Sequence, residues 1–295
     1  MAVGDVTTVC PGPDPCPRAA SRFLTPAGAV DTHAHVVGTT FVSERTYTPP
    51  PASGADYLAM LDAVGMTHGV LIQVSGHGTD NSVLLDVLER NPGRLRGIAL
   101  LEPDVPDREL ERCRAAGVVG IRLNSLGNGG IGLAHLDTYE RICADMGWHI
   151  ELIANPGSLA DIAARLGRLS VPYVLDHLAH VPVDETPTDP GARLVLALAA
   201  DGAWIKMSGA YRLSTVPGYG DTVPFARGVV EAAPDRVVWG SDWPHVGFWG
   251  RMPNVGGLLD VLADWAPDPE TRESILVANA HRLYGFSDAS GSEGS

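Results

Sequence analysis

The segment Asp31-Thr32-His33-Ala34-His35 sets two imidazoles two residues apart at the end of an apolar run. Residues two apart on a strand share a face, so His33 and His35 can present their nitrogens to one point. Two further segments carry polar groups in the same context. They are Asp176-His177, after the run YVL, and Gly240-Ser241-Asp242-Trp243-Pro244-His245, after RVVW. A carboxylate among imidazoles can activate water, and the imidazoles can stabilise an oxyanion, which are the two demands of ester hydrolysis at neutral pH. The same four side chains, His33, His35, His177 and Asp242, also suit one zinc ion, which takes His nitrogen and carboxylate oxygen. The cofactor is therefore none or one Zn, with the same residues in either case.

These residues act together only if the fold brings distant segments to one place. Apolar, β-branched runs at 29–36, 69–75, 95–101, 119–124, 148–154, 173–179, 203–209 and 236–244 predict eight strands. Between them GADYLAMLDAVG, NSVLLDVLERN, DRELERCRAAG, LDTYERICADMG, SLADIAARLGRL, GARLVLALAADG and VPFARGVVEAAP carry apolar residues at helical spacing, several ending in Gly. Strand–helix alternation of this kind predicts an α/β chain folded as a single-domain (β/α)8 TIM-type barrel. An open doubly wound sheet fits less well, because no Gly-rich phosphate loop follows the first strand. In a barrel, residues at the C-terminal strand ends share one mouth, where His33, His35, His177 and Asp242 would converge. The expected domain organisation is a Pro-rich N-terminal arm over 1–25, the barrel over 26–286 and a disordered tail over 287–295.

A length of 295 residues and a hydrophobic share of 45% suit one such barrel. Lys and Arg number 21 against 35 Asp and Glu, a formal charge of −14, which disfavours nucleic acid and anionic membranes as partners. A small-molecule substrate is the partner expected, and a homo-oligomer is compatible with the composition. Cys10 and Cys16 sit close together in the Pro-rich arm, as a metal pair, a disulfide or free thiols. Free thiols of a reducing cytosol suit them, with Cys113 and Cys143, better. No apolar run is long enough to span a membrane and no secretory signal is visible, so the chain reads as cytoplasmic.

DTHAHV followed far downstream by WGSDWPH resembles the amidohydrolase superfamily. More narrowly, ERTYTP (44–49), QVSGHGTDN (73–81), GIRLN (120–124), VLDHLA (174–179), KMSGAYRLS (206–214), VPFARGVVE (223–231), PDRVVWGSDWPH (234–245) and NAHRLYGF (279–286) resemble the branch of 2-pyrone-4,6-dicarboxylate lactonase and 4-sulfomuconolactone hydrolase. The resemblance implies a lactonase, that is, a carboxylic ester hydrolase. In it Asp242 acts as general base on water and then protonates the leaving oxygen, while His33, His35 and His177 polarise the carbonyl. It implies that Arg122 and Arg212 hold substrate carboxylates and that Tyr47 and Ser75 make further contacts. Superfamily members with two metals carry a bridging lysine carbamate on the fourth strand, and VGIRLN has no Lys.

The departures point to a different substrate. Where the branch carries a second Arg after Asn124, this chain reads SLGNGG; its Arg after the strand-6 His is His180 here; and a strand-5 Tyr is Ile153. The expected substrate has fewer negative charges than a pyrone dicarboxylate and an apolar or bulkier group on the strand 4–5 side. His180 is a candidate pH-dependent cation in place of the missing Arg, or a surface residue. His77, just after strand 2, is placed either against substrate or as a structural residue of its loop. His245 is expected to buttress the strand-8 loop, and His68, His135 and His281 to be structural. Asp31 and Asp176 directly precede site histidines and are expected to face outward. Trp249, with Phe248, is a candidate hydrophobic wall. The alternatives to hydrolysis are lactone isomerisation and decarboxylation within the same superfamily, and a catalytically silent binding barrel.

Overall fold

The computed structural model describes residues 8–126, 131–184 and 186–287. The strands are β1 (Val30–Ala34), β2 (His68–Ile72), β3 (Leu95–Ala99), β4 (Val118–Asn124), β5 (His149–Ile153), β6 (Tyr173–Leu175), β7 (Trp204–Met207) and β8 (Val237–Trp239). They pair in parallel in chain order, β1 to β8. The two ends then meet. Ala34 bridges Trp243, the His35 N–H donates to the Trp243 carbonyl at 2.8 Å, and the Asp242 N–H donates to the His33 carbonyl at 2.8 Å. The sheet closes into the (β/α)8 barrel that the alternation predicts.

The seven helical segments expected all form: α1 (Gly54–Val64), α2 (Ser82–Arg90), α3 (Asp107–Ala116), α4 (Leu136–Met146), α5 (Pro156–Leu166), α6 (Pro190–Ala200) and, after a short turn α7 (Ala210–Leu213), α8 (Val223–Ala232). Local chemistry sets their ends. Ser53 and Asp56 form a capping box at the start of α1, and Gly65 stops it in the left-handed region. Asn155 caps α5, with Pro156 at its first position. Besides α7, the structure adds α9 (Val255–Trp265) and a C-terminal run of α10 (Pro269–Glu273), a π-helical turn (Ser274–Ala278) and α11 (Asn279–Tyr284), which helical spacing did not single out.

Strands β6 and β8 are shorter than predicted, three residues each, for one physical reason. The backbone enters the left-handed region at His177 to His180 and again at Asp242, which ends the extended chain just where the site residues begin. The barrel floor is apolar, with Val30, Val70, Ile72, Ile98, Val174, Trp204 and Val238 in one cluster. The helices cover the outside over a larger apolar cluster that includes Leu71, Ile121, Leu152 and Ile205 from the outer strand faces.

Part of the N-terminal arm lies along α9. The Arg18 N–H donates to Asn254 Oδ1, the Ser21 and Arg22 N–H groups donate to Asp260 Oδ1, and Arg22 pairs with Asp264. A Cβ on Gly256 would fall 2.1 Å from the Arg18 carbonyl oxygen, so glycine is needed for the arm to sit this close. Residues 1–7 of the arm, and all of the expected disordered tail but Ser287, lie outside the described residues. Cys10 is buried and its sulfur accepts from the Gly247 N–H at 3.3 Å; Cys16 is exposed; neither is in a disulfide. Among the described residues no helix is long and apolar enough to cross a membrane.

Candidate active site

Val30 belongs to the inner floor, and simple alternation from it would turn His33 and His35 outward. The pairing of β1 with β2 shifts by one residue between Asp31 and Ala34. Such a bulge re-aims the side chains beyond it, and both imidazoles reach the mouth. Asp31 stays on the outside, as expected. It accepts the Ser241 N–H at 2.7 Å, the Ser241 hydroxyl at 2.6 Å and the Tyr57 hydroxyl at 3.2 Å, which ties β1 to the segment carrying Asp242. At Gly240 a Cβ would meet His33 Cβ at 2.6 Å, so only glycine lets the two segments approach.

Asp176 corrects an expectation. It does not face the helices. It continues the inward alternation from Val174, and its Oδ1 lies 3.0 Å from Lys206 Nζ and 3.5 Å from His33 Nδ1. The left-handed backbone that follows then turns His177 inward as well, which strand alternation alone would forbid.

The four central residues converge as expected. His35 Nε2 and His33 Nε2 lie 3.6 and 3.8 Å from Asp242 Oδ1, and His177 Nε2 lies 3.9 Å from Oδ2. Asp242 Oδ2 accepts the Tyr211 hydroxyl at 2.7 Å and Arg212 Nε–H at 2.6 Å. Burial works to raise the Asp242 carboxyl, but the Arg212 guanidinium, with His177, outweighs it and holds the group well below the usual carboxylate range. Burial pushes His33, His35 and His177 down, and for His33 the Lys206 ammonium adds to this. The site at neutral pH is one carboxylate among three neutral imidazoles.

The donor chemistry accommodates one zinc. His33, His35 and Asp242 offer ligand atoms within 4.8 Å of one another, and among the described residues His33 Nε2 and Asp242 Oδ1 are buried without a hydrogen-bond partner. His35 Nδ1 donates to the Ile72 carbonyl at 2.8 Å, the outer-shell bond that frees the other nitrogen for a metal. His177 Nδ1 is bonded to Ser208 Oγ at 2.8 Å.

Beside the carboxylate lies a cavity of about 220 Å³. Tyr47, Ser75, Arg122, His180 and Arg212 line it, with Asn124, Leu126 and Ile153 on the β4–β5 side. Residues 127–130, the Gly-rich run that replaces the branch's second Arg, lie outside the described residues. Arg122 is buried in β4, and its Nη1 donates to the Gln73 carbonyl at 3.2 Å. His77 does not line the cavity. Its Nε2 accepts the Gly38 N–H at 3.3 Å and its ring packs on Phe41, so it structures the loop. His180 is neither a surface group nor a cation, because burial, then Arg212, presses it to about 4. Trp249 is exposed and outside the cavity lining, whereas Phe248 meets the Tyr211 ring edge-on at 4.8 Å. Tyr211, Ser208, Lys206 and Glu151 were missed by sequence reasoning. The usable signal was the alternation Trp204, Lys206, Ser208 in one strand run, which puts all three inward.

His245 is buried against Tyr211, ring centroids 5.0 Å apart, and burial lowers it to about 4. An unfolded histidine titrates near 6.5. Between those values the unfolded chain binds a proton that the native state refuses, so stability is full above pH 6.5 and falls toward pH 4. His245 should remove about 3 kcal/mol across that window, and the half-buried His180 less. The melting temperature is expected to drop steeply from pH 6.5 to 4.5. His245→Asn, which tolerates the φ of 65°, should make the drop shallower. An acid limb identical in the variant would remove His245 as a contributor.

A closed parallel barrel that gathers an HxH pair, a sixth-strand His and an eighth-strand Asp at one mouth defines a hydrolase of the amidohydrolase type. The chain belongs to the amidohydrolase family, whose profile matches residues 30–286. It is 38% identical over 275 residues to a 4-sulfomuconolactone hydrolase of Hydrogenophaga intermedia, covering 90% of this chain and 91% of that protein. It is 35% identical over 281 residues to a 2-pyrone-4,6-dicarboxylate hydrolase of Comamonas testosteroni, covering 89% and 92%. A crystal structure of a probable 2-pyrone-4,6-dicarboxylic acid hydrolase from Acinetobacter baumannii, with citric acid bound, superposes with a TM-score of 0.78 at 30% identity over 88% of this chain and 100% of that one.

Proposed function

We propose that the protein hydrolyses a lactone or other small cyclic ester carrying a carboxylate, with water activated by Asp242. The observation that carries this is Asp242 Oδ1, without a hydrogen-bond partner among the described residues and turned toward neutral imidazoles at the edge of a cavity that also holds Arg122. A water on Oδ1 loses its proton to the carboxylate as its oxygen attacks the ring carbonyl. Imidazole N–H groups stabilise the oxyanion. When the C–O bond of the ring breaks, the protonated Asp242 returns its proton to the leaving alkoxide, so one water is consumed and a hydroxy acid forms. Were zinc held by His35 and Asp242, with His177 beside them, it would supply Lewis acidity at the same carbonyl.

The cavity is below the ~300–1,000 Å³ typical for drug-sized ligands, which favours a small ring. Ile153 and Leu126 give the β4–β5 wall an apolar character that suits a substrate less charged than a pyrone dicarboxylate. The relatives named above hydrolyse, by their names, a lactone and a pyrone dicarboxylate. The test is a panel of mono- and dicarboxylated lactones and cyclic esters, with proton release as the readout. A monocarboxylated lactone is expected to open fastest. If no member released a proton while ring isomers accumulated, hydrolysis would be the wrong reaction.

A further inference from the structure

Beneath the mouth, the inner face of the barrel is charged where apolar layers usually fill it. Lys206, Glu151, Asp176 and His33 are all fully buried there. Lys206 Nζ lies 2.7 Å from Glu151 Oε2, 3.0 Å from Asp176 Oδ1 and 3.3 Å from His33 Nδ1. Glu151 is anchored from its other oxygen, which accepts the Tyr284 hydroxyl at 2.8 Å and faces His149 Nε2 at 3.4 Å. The ammonium is thus held in a three-cornered cradle of two carboxylates and one imidazole nitrogen.

We propose that Lys206 is a positioning residue that locks His33 in the tautomer with its proton on Nε2, making His33 a hydrogen-bond donor to the reacting carbonyl and not a metal ligand. An ammonium has three N–H donors and no lone pair, so the Nδ1 it meets must be the acceptor. The competing arrangement would have Nδ1–H donate to Asp176. That oxygen is 3.5 Å away, and neither Asp176 oxygen meets hydrogen-bond geometry with any donor among the described residues. Asp176 therefore pairs with the ammonium as an ion. With the Nδ1 lone pair engaged by the ammonium the ring is not an imidazolium, so its one proton sits on Nε2.

The histidines of the HxH pair then have opposite roles. His35 Nδ1–H is spent on the Ile72 carbonyl, so His35 Nε2 is a lone pair. His33 Nε2–H has no partner among the described residues, and at 3.8 Å Asp242 Oδ1 is beyond hydrogen-bond length. A substrate carbonyl oxygen is the acceptor it lacks, while His35 Nε2 and Asp242 Oδ1 together receive the water. A zinc at this site would have to do without His33, leaving His35 and Asp242 of the three-residue group.

The tautomer stands on geometry alone; its catalytic use rests on the lactone-opening proposal. The experiment is a two-bond proton–nitrogen correlation on the full-length wild-type protein with ¹⁵N-labelled histidine, with His33 assigned from a His33→Asn spectrum. The expected pattern is protonated Nε2 with bare Nδ1 for His33, and the reverse for His35. A His33 signal with Nδ1 protonated, or an imidazolium, overturns the proposal. In Lys206→Met/Glu151→Gln, which removes the cation with one of its anions, His33 should flip to Nδ1–H toward Asp176. kcat on an opened lactone should fall about a hundredfold with little change in KM. An unchanged His33 pattern in a folded double variant also overturns it, and if that variant fails to fold the wild-type spectrum alone decides. If the wild-type tautomer is found but no lactone opens, the functional proposal fails and the assignment of Lys206 stands.

Discussion

Asp242→Asn is expected to abolish hydrolysis, by ~10²–10⁴-fold in kcat, while the barrel stays folded. The amide keeps the shape of the side chain, and its oxygen can still accept from Tyr211 and Arg212 in the place of Oδ2. What faces the imidazoles is then an NH2 group, which cannot take a proton from water. The substitution leaves the Arg212 guanidinium without its counter-ion, and a broken buried pair costs ~3–5 kcal/mol at the upper end. The variant should therefore melt at a lower temperature than the wild type, yet give the same near-ultraviolet circular dichroism at 25 °C. Activity is compared at fixed folded fraction. More than about a tenth of the wild-type rate in a folded Asp242→Asn protein would show that the carboxylate is not the base.

The strands and most helices could be read from spacing because a barrel of this kind repeats one pattern. Helix α9 escaped because it opens with Gly256-Gly257, a pair that reads as a turn, and the reason for Gly256 is the arm lying against it, 238 residues away in sequence at Arg18. The helical run from Pro269 to Tyr284 has no strand after it to mark its end. His33, His35, His177 and Asp242 were legible as chemistry-bearing residues at strand ends. Their aim was not. A one-residue bulge in β1 and left-handed backbone at His177 and Asp242 decide it, and neither leaves a mark in hydrophobic periodicity. The inward turn of Asp176 was misread for the same reason, since alternation was counted from His177 and not from Val174. Alternation could have aimed Lys206 inward, but that it meets Glu151, 55 residues earlier on another strand, needed the third dimension.

Arg122 and Arg212 should separate when substrate charge is varied. Both line the cavity, and the sequence treats them alike. In the structure Arg212 gives Nε–H to Asp242 and Nη2–H to the Val246 carbonyl at 2.7 Å, so much of its capacity is committed to the base. Among the described residues Arg122 makes one hydrogen bond, to a backbone carbonyl at 3.2 Å, and its Nε is buried without a partner. Arg122→Met is expected to raise KM for an anionic lactone roughly ten- to a hundredfold, the scale of one charge-assisted contact, and to change KM for the neutral methyl ester only a few-fold. Arg212→Met should affect both substrates alike and act through pH. Asp242 is the base only when ionised, so kcat/KM falls as pH drops through its pKa. In the wild type Arg212 holds that pKa well below the usual carboxylate range, and activity persists into acid. Without Arg212, burial is less opposed, the pKa rises, and the acid loss of kcat/KM begins at a higher pH. The pH profiles of the two variants on the acid and its ester are the measurement. A charge-selective KM in Arg212→Met with an unmoved acid limb would mean that Arg212 serves the substrate and not Asp242, and a wild-type preference for the pyrone dicarboxylate would mean that the apolar wall at Ile153 does not set substrate charge.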